Sequence, residues 1–239
     1  HYPVHIKINT GLNRLGFKPN QISEIGSLLT NNLSIKVISI FSHLAASEDL
    51  DEREFTKNQI EEFKQAAIFL REKLSNKPFL HLANTSGVIN YPEAHLDMVR
   101  IGIGLYGFGN NDKETDKLKN THNLYSIISQ IHTIKPGESV GYNRAFIANK
   151  LIKSATIPIG HADGIPRALK QGKGSVFINK KVAPILGNVC MDMIMVDVTE
   201  IDCKEGDKVT IFNSQKDILY FSKASNTIVY ETLTNISPR

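Results

Sequence analysis

The sequence of 239 residues lacks the features that would place it outside the ordinary globular class. Its two cysteines, Cys190 and Cys203, form no CxxC motif and fit a reducing compartment. No apolar run reaches the roughly 18 residues of a membrane span, and no secretory signal precedes the first strand. The net charge of +4 comes without a concentrated Lys/Arg block. We therefore expect a cytoplasmic protein that binds neither membranes nor nucleic acid.

The residues of the chain are 41% hydrophobic and 22% charged, which is typical of globular proteins. Its length suffices for one large domain or two modest ones, each with a hydrophobic core. The chain opens on His1-Tyr2-Pro3 without a methionine, runs straight into a strand, and closes at Ser237-Pro238-Arg239. These ends predict a piece of a larger protein.

The first half alternates strand-like and helix-like segments, which predicts parallel pairing in an α/β domain. Thr56 and Gln59 resemble a capping box that would begin the second helix. No GxGxxG or Walker-type loop follows a strand, so a nucleotide-binding sheet is disfavoured. The segments are strands over 4–10, 36–43, 79–85 and 98–107, and helices over 19–30 and after residue 56.

The second half has closely spaced strand-like segments separated by turn signals, which predicts a mainly antiparallel β domain closed by a helix over roughly 221–235. We place the two domains at 1–115 and 116–239. The predicted strands lie within 125–134, 154–159, 174–178, 193–198 and 208–212.

Polar groups lie within or at the carboxyl ends of the four predicted parallel strands, the edge that carries chemistry in a (β/α)8 barrel. Four βα units would be half of such a barrel. Arg100 lies in an apolar strand, where a buried guanidinium needs a partner; spacing alone favours a structural ion pair over a ligand anchor. Lys7 fits a solvated strand face better than an inward polar face when it is considered alone. His43 fits an acid/base group about as well as a structural histidine.

Three loop segments are weaker candidates. Asn84-Thr85-Ser86-Gly87 can cradle a phosphate, but any helix N-cap has the same composition. Hairpin turns would explain both Gly141-Tyr142-Asn143 and the loop over residues 160–164. Cys190 and Cys203 lie thirteen residues apart and make no metal site, and Cys190 fits a small buried residue better than a nucleophile. No metal site is predicted.

Together, seven segments in order resemble the alanine racemase family, with a weaker match in YETLTNIS. They are HIKINTGLNRLGF, FSHLAASED, HLANTSG, MVRIGIGLYG, SVGYNRAF, IPIGHADGIPR and VCMDMIMVDV. Members of this family are fold-type III enzymes that use pyridoxal 5′-phosphate (PLP). They have an N-terminal (β/α)8 TIM barrel and a C-terminal β domain, so the resemblance implies the second half of a barrel followed by that β domain.

The resemblance implies roles for the cofactor-side residues. Arg100 would face the pyridine nitrogen of PLP and, as a donor only, leave it unprotonated. His43 would orient Tyr142, one of two catalytic bases, whose phenol needs help to act at neutral pH. Tyr142 would reach the partner subunit's site, which implies a homodimer. Thr85 and Asn84, with the amides near Gly102 and Ile103, would bind the phosphate.

Other roles concern the substrate, which the resemblance identifies as alanine. Arg14 would contact its carboxylate, and Lys7 matches a lysine that the family often carries as an N-carboxylated carbamate. Met191 would supply a backbone donor to the carboxylate. His161 and Asp192 would lie near the entrance, where many members have Tyr in place of His161.

One departure concerns the family's Schiff-base lysine, which lies on the first barrel strand in a motif like KANAYGHG. That motif is absent from the sequence, and Lys7 matches the fifth strand instead. The resemblance implies an isomerase that supplies D-alanine for peptidoglycan, here as an inactive fragment. One alternative is a racemase of broader or different specificity, and a fold-type III decarboxylase fits the Tyr142 and Arg100 motifs less well. Another is a non-catalytic scaffold or dimerisation module, because four parallel strands leave two open sheet edges.

Overall fold

The structure is a computed structural model that describes residues 2–237; His1, Pro238 and Arg239, on which the prediction of a larger protein partly rests, lie outside the described residues. The contacts divide the chain into two compact units, His1–Lys119 and Asn120–Arg239. Within the described residues, no helix is both long enough and apolar enough to cross a bilayer.

The first unit is an α/β unit around a parallel sheet in the order β1-β2-β3. The pairing register sets Val4 beside Val37 and, after a bulge, His5 beside Ser39. The strands are β1 (Tyr2–Lys7), β2 (Ile35–Phe41) and β3 (Phe79–His81), and the helices are α1 (Ile22–Asn31), α2 (Arg53–Lys73), α3 (Thr85–Asn90) and α4 (Asp112–Thr115).

Alternation within β1 explains how this sheet is oriented. Ile6 and Ile8 are buried in the core, where Phe63 and Leu70 of α2 also lie, while His5 and Lys7 occupy the other face. Since all three strands are parallel, their carboxyl ends meet at one edge. That edge carries the candidate residues.

The predicted strand over 98–107 is wrong beyond its start. Only Met98 pairs with the sheet, as an isolated bridge to His81. Arg100 N–H still donates to the Ala83 carbonyl, and the chain then turns into a 3-10 helix over Ile103–Tyr106. Gly107 ends this turn with φ +87°, a conformation that favours glycine, so the glycines of this segment make a turn where alternation predicted a strand.

The capping box predicted at Thr56 and Gln59 is also wrong, because α2 begins earlier and both residues are buried inside it. Gln59 has a different task. Its Nε2 donates to the Thr10 carbonyl at 2.8 Å, and its Oε1 accepts from Ala45 N–H at 2.9 Å. One amide therefore ties the loops that follow β1 and β2, next to the carboxyl edge.

The second unit is built on a seven-stranded antiparallel sheet in the order β4-β12-β9-β10-β11-β8-β5, with β6 and β7 forming a separate hairpin. The strands are β4 (Leu124–Ile127), β5 (Gln130–Ile134), β6 (Ser139–Val140), β7 (Phe146–Ile147), β8 (Ile152–Ile157), β9 (Ser175–Ile178), β10 (Lys181–Leu186), β11 (Ile194–Asp197) and β12 (Lys208–Phe212). The predicted fold class, α/β followed by mainly antiparallel β, is confirmed.

Two details of this unit correct the prediction. The segment 125–134 is two strands, because the residues before Ile128 pair with β12 and those after Ser129 pair with β8, at opposite ends of the strand order. The single closing helix is two helices, α5 (Gln215–Ala224) and α6 (Val229–Thr234). Asn226 between them has φ +55°, which a continuous helix does not allow.

Candidate active site

The carboxyl edge of the parallel sheet gathers four basic side chains from separate segments. Lys7 ends β1, Arg14 follows in the next loop, His43 follows β2, and Arg100 follows the bridge at Met98. Burial, and then the positive charges of Arg14 and Arg100, lower the pKa of both Lys7 and His43, and the effect of these charges places the four groups within electrostatic reach. The first unit therefore offers a cationic site for an anionic ligand.

Arg100 is the centre of this edge. Its Nη2 donates to the carbonyls of Ser42 at 2.6 Å and Leu82 at 3.2 Å, and lies 3.2 Å from His43 Nδ1. Its Nη1 donates to the carbonyl of His81 at 3.3 Å and to His81 Nδ1. The hydrogen-bond partners of the guanidinium are thus carbonyl oxygens at strand ends, where the sequence predicted a carboxylate. In the described part of the chain, Arg100 has no carboxylate within ion-pair distance, so the structural ion pair is not found.

The two histidines beside Arg100 are both biased toward their neutral forms. Burial lowers the pKa of His43, with smaller contributions from Arg100, Arg14 and Lys7. Burial and then Arg100 and His5 lower the pKa of His81 to about 4. Sequence reasoning selected His43 and missed His81. A histidine within the apolar run of β3 was the available signal.

Lys7 and Arg14 differ in how the fold holds them. Burial is the largest cause that lowers the pKa of Lys7, followed by Arg14 and Arg100. Arg14 is exposed in the loop between β1 and α1. The loop around Arg14 is held by Asn9, whose Oδ1 accepts from Gly11 N–H at 3.3 Å and Asn13 N–H at 2.9 Å.

The predicted phosphate-binding residues come together at the start of α3. Thr85 is buried, and its Oγ1 accepts from Gly102 N–H at 3.3 Å and Gly104 N–H at 3.2 Å. These two bonds occupy the oxygen lone pairs, so the hydroxyl proton is the part of Thr85 left to donate. Asn84 is the N-cap of α3, and its Oδ1 accepts from Gly87 N–H at 2.9 Å. Ile103 is buried in the turn between the two glycines.

A buried carboxylate supports this phosphate-side turn, and sequence reasoning missed it. Glu114, 2% exposed, accepts from Ser86 Oγ at 2.8 Å, Asn90 Nδ2 at 2.7 Å and Asn110 N–H at 2.9 Å. It thereby fixes both ends of α3 to the segment that follows residue 109. The sequence pattern around Glu114 did not predict its burial, since the residue lies in a stretch of polar and charged residues.

In the second unit, Tyr142 is presented by a strained hairpin loop. It is 74% exposed between β6 and β7, so the predicted hairpin turn is present here. Gly141, Asn143 and Arg144 around it have φ of +78°, +58° and +47°. Non-glycine residues in this region carry a conformational cost, and such strain clusters at functional loops.

Tyr142, Met191 and Asp192 line one cavity of about 540 Å³, together with His132 and Met195. The Met191 carbonyl accepts from Ala162 N–H at 2.9 Å, which joins the loop that precedes β11 to the loop over 160–164. That loop connects β8 to β9, which are not neighbours in the sheet, so it is no hairpin turn. His161 is exposed and lines a different cavity with residues of α6.

The cysteines offer no obvious nucleophile. Both thiols are free and half-buried, and burial raises the pKa of each. Cys190 Sγ lies 3.8 Å from the Asn188 carbonyl and borders the cavity of Tyr142. A raised pKa keeps a thiol protonated and unreactive at neutral pH.

Two family models match this chain: the alanine racemase N-terminal domain over residues 1–109 and the alanine racemase C-terminal domain over residues 121–239. An alanine racemase from Vesicomyosocius okutanii is 36% identical over 237 residues, covering 99% of this chain and 65% of that protein. One from Fusobacterium nucleatum is 36% identical over 242 residues, covering 99% and 66%. The chain therefore spans about two thirds of the length of these curated relatives.

Solved structures give the same result. An alanine racemase from Clostridium difficile 630 superposes with a TM-score of 0.89 at 33% identity, over 99% of this chain and 63% of that one. A Bartonella henselae alanine racemase with covalently bound pyridoxal phosphate gives 0.78 at 32% identity, over 98% and 64%.

Proposed function

This chain belongs to the alanine racemase family, and we propose that the protein carrying it is an isomerase that interconverts L- and D-alanine with PLP. The observation that supports this most is Arg100: its donor groups are fixed by strand-end carbonyls and two imidazoles at the carboxyl edge. We further propose a cytoplasmic homodimer that supplies D-alanine for peptidoglycan. The relatives are longer than this chain, so the activity is proposed for the complete protein.

The residues of the first unit fit PLP. The guanidinium of Arg100 can only donate, so a pyridine nitrogen facing it would be an acceptor and stay unprotonated. At the phosphate end of PLP, the Thr85 hydroxyl proton and the Ile103 amide would bind the phosphate, while Gly102 N–H donates to Thr85 Oγ1 and Asn84 holds the start of α3. When bound, PLP withdraws electrons from the substrate's Cα and so makes its proton easier to remove.

We assign to Tyr142 the transfer of that proton on one face of alanine. Its Oη would take or return the Cα proton, which requires a phenol made more acidic than a free one. The loop of Gly141, Asn143 and Arg144 presents the ring to solvent, as a residue that serves a partner subunit would require. In the assembled dimer, the neutral His43 and the charge of Arg100 would orient and polarise this phenol.

The substrate carboxylate would be bound by cations and amides. We place it near Arg14, with the Met191 amide contributing across the dimer and His161 and Asp192 bordering the entrance. Lys7 is suited to carboxylation, because its lowered pKa increases the fraction of neutral amine. The amine nitrogen would bond to the carbon of CO2 and release a proton, which gives an anion facing Arg14.

The sequence 1–239 has no motif resembling KANAYGHG. In this proposal the covalent bond to PLP and the second proton transfer therefore depend on a residue outside it. We accordingly propose that the 239-residue chain alone binds PLP without a covalent bond and does not racemise alanine. Apart from this non-covalent binding, the chain alone would serve as a non-catalytic dimerisation module.

The test is conversion of L-alanine to D-alanine by the complete protein with PLP, followed by chiral chromatography, with serine, lysine and arginine as parallel substrates. We expect alanine to be converted fastest. Equal or faster conversion of a larger amino acid would instead favour a racemase of broader specificity. PLP binding without conversion of any amino acid would overturn the proposal.

A further inference from the structure

A line of hydrogen-bonded side chains crosses the polar face of the parallel sheet and joins Arg100 to three residues that have no role in the proposed function. It runs from Arg100 to His81 on β3, to Ser39 on β2, and to His5 on β1. Ser39 Oγ lies 2.9 Å from His81 Nε2 and 2.6 Å from His5 Nδ1, and His81 Nδ1 contacts Arg100 Nη1. Ser39 and His81 are 2% and 5% exposed, so the bond between them is shielded from water.

The direction of every bond in this line follows from its first member. Arginine only donates, so the His81 nitrogen that meets Arg100 must be the unprotonated one. A neutral His81 then carries its proton on Nε2 and donates it to Ser39 Oγ. The Ser39 hydroxyl, having accepted, donates its own proton to His5 Nδ1. Each step has one donor and one acceptor, and the line ends at a histidine on an exposed strand.

We propose that Ser39 and His5 are positioning residues that hold His81 in its neutral Nε2–H form and so fix Arg100 in place. The inference deepens the proposed function and rests on it for the role of Arg100 toward the cofactor. The groups that face His81 are Arg100, His5 and the Phe41 ring, which stacks on it with centroids 5.1 Å apart at 7°. Burial, the positive charge of Arg100 and the apolar ring of Phe41 disfavour the imidazolium form of His81. The pKa of His81, lowered to about 4, agrees with this arrangement.

His5 completes the line, because its Nδ1 accepts the Ser39 hydroxyl proton and keeps that hydroxyl pointing away from His81 Nε2. Without an acceptor at residue 5, the hydroxyl can turn back and donate to His81 Nε2. A neutral imidazole accepting at Nε2 carries its proton on Nδ1, where it meets the donor of Arg100. The result is two opposed N–H groups, which separates His81 from Arg100.

The test uses nitrogen-15 NMR of the 239-residue chain without cofactor, which reads the protonation of each imidazole nitrogen directly. We expect His81 to show only the Nε2–H form between pH 8 and pH 6, with resolved Nη signals for Arg100. His5→Leu should add the Nδ1–H form of His81 and broaden the Arg100 signals. His5→Gln, which returns an acceptor oxygen of similar reach, should restore the original pattern. His5 is exposed, so both variants are expected to fold.

Ser39→Ala should cause the same loss of resolved Arg100 signals. Its matched control is Ser42→Ala, an equally buried serine three residues along whose hydroxyl bonds Thr10 instead. Unchanged His81 and Arg100 signals in His5→Leu would overturn the inference. A separate PLP titration, followed by absorbance, tests the proposed function. If PLP does not bind but the NMR pattern is as expected, the proposed role of Arg100 toward the cofactor is wrong, while the inference about His5, Ser39 and His81 stands.

Discussion

The two units hold their candidate residues in opposite ways. In the first, Arg100 and His81 are enclosed by carbonyls and side chains at the carboxyl edge of a parallel sheet. In the second, Tyr142 projects from a strained loop and is 74% exposed. In the proposed function, the group that binds the cofactor is fixed by buried partners. The group that acts on a neighbouring site is left open on a loop. Substitutions should accordingly affect stability in the first unit and activity in the second.

The largest effect is expected at Tyr142. In the complete protein, Tyr142→Phe should lower alanine racemisation by about 10²–10⁴-fold, because a general acid/base is lost. Its thermal midpoint should hardly move, since the side chain is exposed. Tyr125→Phe, on β4, is the control that leaves activity unchanged. Activity within about threefold of the wild type in Tyr142→Phe would contradict the assignment.

Arg100 should show the reverse pattern in the 239-residue chain. Arg100→Met leaves the carbonyls of Ser42 and Leu82 without their donor, at an expected cost of about 2–4 kcal/mol in unfolding free energy. Urea unfolding followed by circular dichroism measures it. Arg14→Met, at an exposed position, should change stability by about 0.5 kcal/mol or less. Equal effects at the two positions would contradict the contrast between a half-buried, hydrogen-bonded cation and an exposed one.

Glu114 gives an intermediate effect within the first unit. Glu114→Gln keeps the size of the side chain but turns a donor toward Ser86 or Asn90, which already donate there. We expect a loss of about 1–3 kcal/mol in the same unfolding experiment, and a weaker affinity for PLP through the displaced α3. Glu62→Gln on the exposed face of α2 is the matched control. An unchanged PLP affinity would show that Glu114 contributes to the stability of the fold but not to PLP binding.

The smallest effect concerns pH. His81 has a folded-state pKa of about 4, below its unfolded value of 6.5, so the unfolded chain binds more protons between these limits. The contribution of neutral His81 to the free energy of unfolding is fully present above pH 6.5 and is lost as pH falls toward 4. The unfolding free energy of His81→Gln should therefore fall less steeply over this window than that of the wild type. Parallel curves for the two proteins would show that His81 is not held neutral.

The sequence predicted the fold well where periodicity and turn chemistry agreed. The parallel strands β1 and β2 and the antiparallel strands β9, β11 and β12 follow from apolar patterns of the correct length. The segment over 98–107 has the same apolar character, yet its glycines allow a turn that local pattern alone does not distinguish from a strand.

The residues of the candidate site also divide into those that the sequence predicted and those that it did not. Arg100 stood out because a guanidinium in an apolar segment is unusual. His81 and Ser39 did not, since their roles depend on a contact between neighbouring strands whose two residues are 42 positions apart in the sequence. Glu114 was hidden for the same reason: only the tertiary fold brings Ser86, Asn90 and Asn110 to its carboxylate.

The central claim is that Arg100 is the group facing the cofactor ring. It is tested most directly by binding PLP labelled with nitrogen-15 in the ring to the complete protein and recording its NMR shift. Because arginine only donates, we predict the shift of an unprotonated pyridine nitrogen across neutral pH, altered in Arg100→Glu. A protonated ring nitrogen in the wild-type protein would contradict the account.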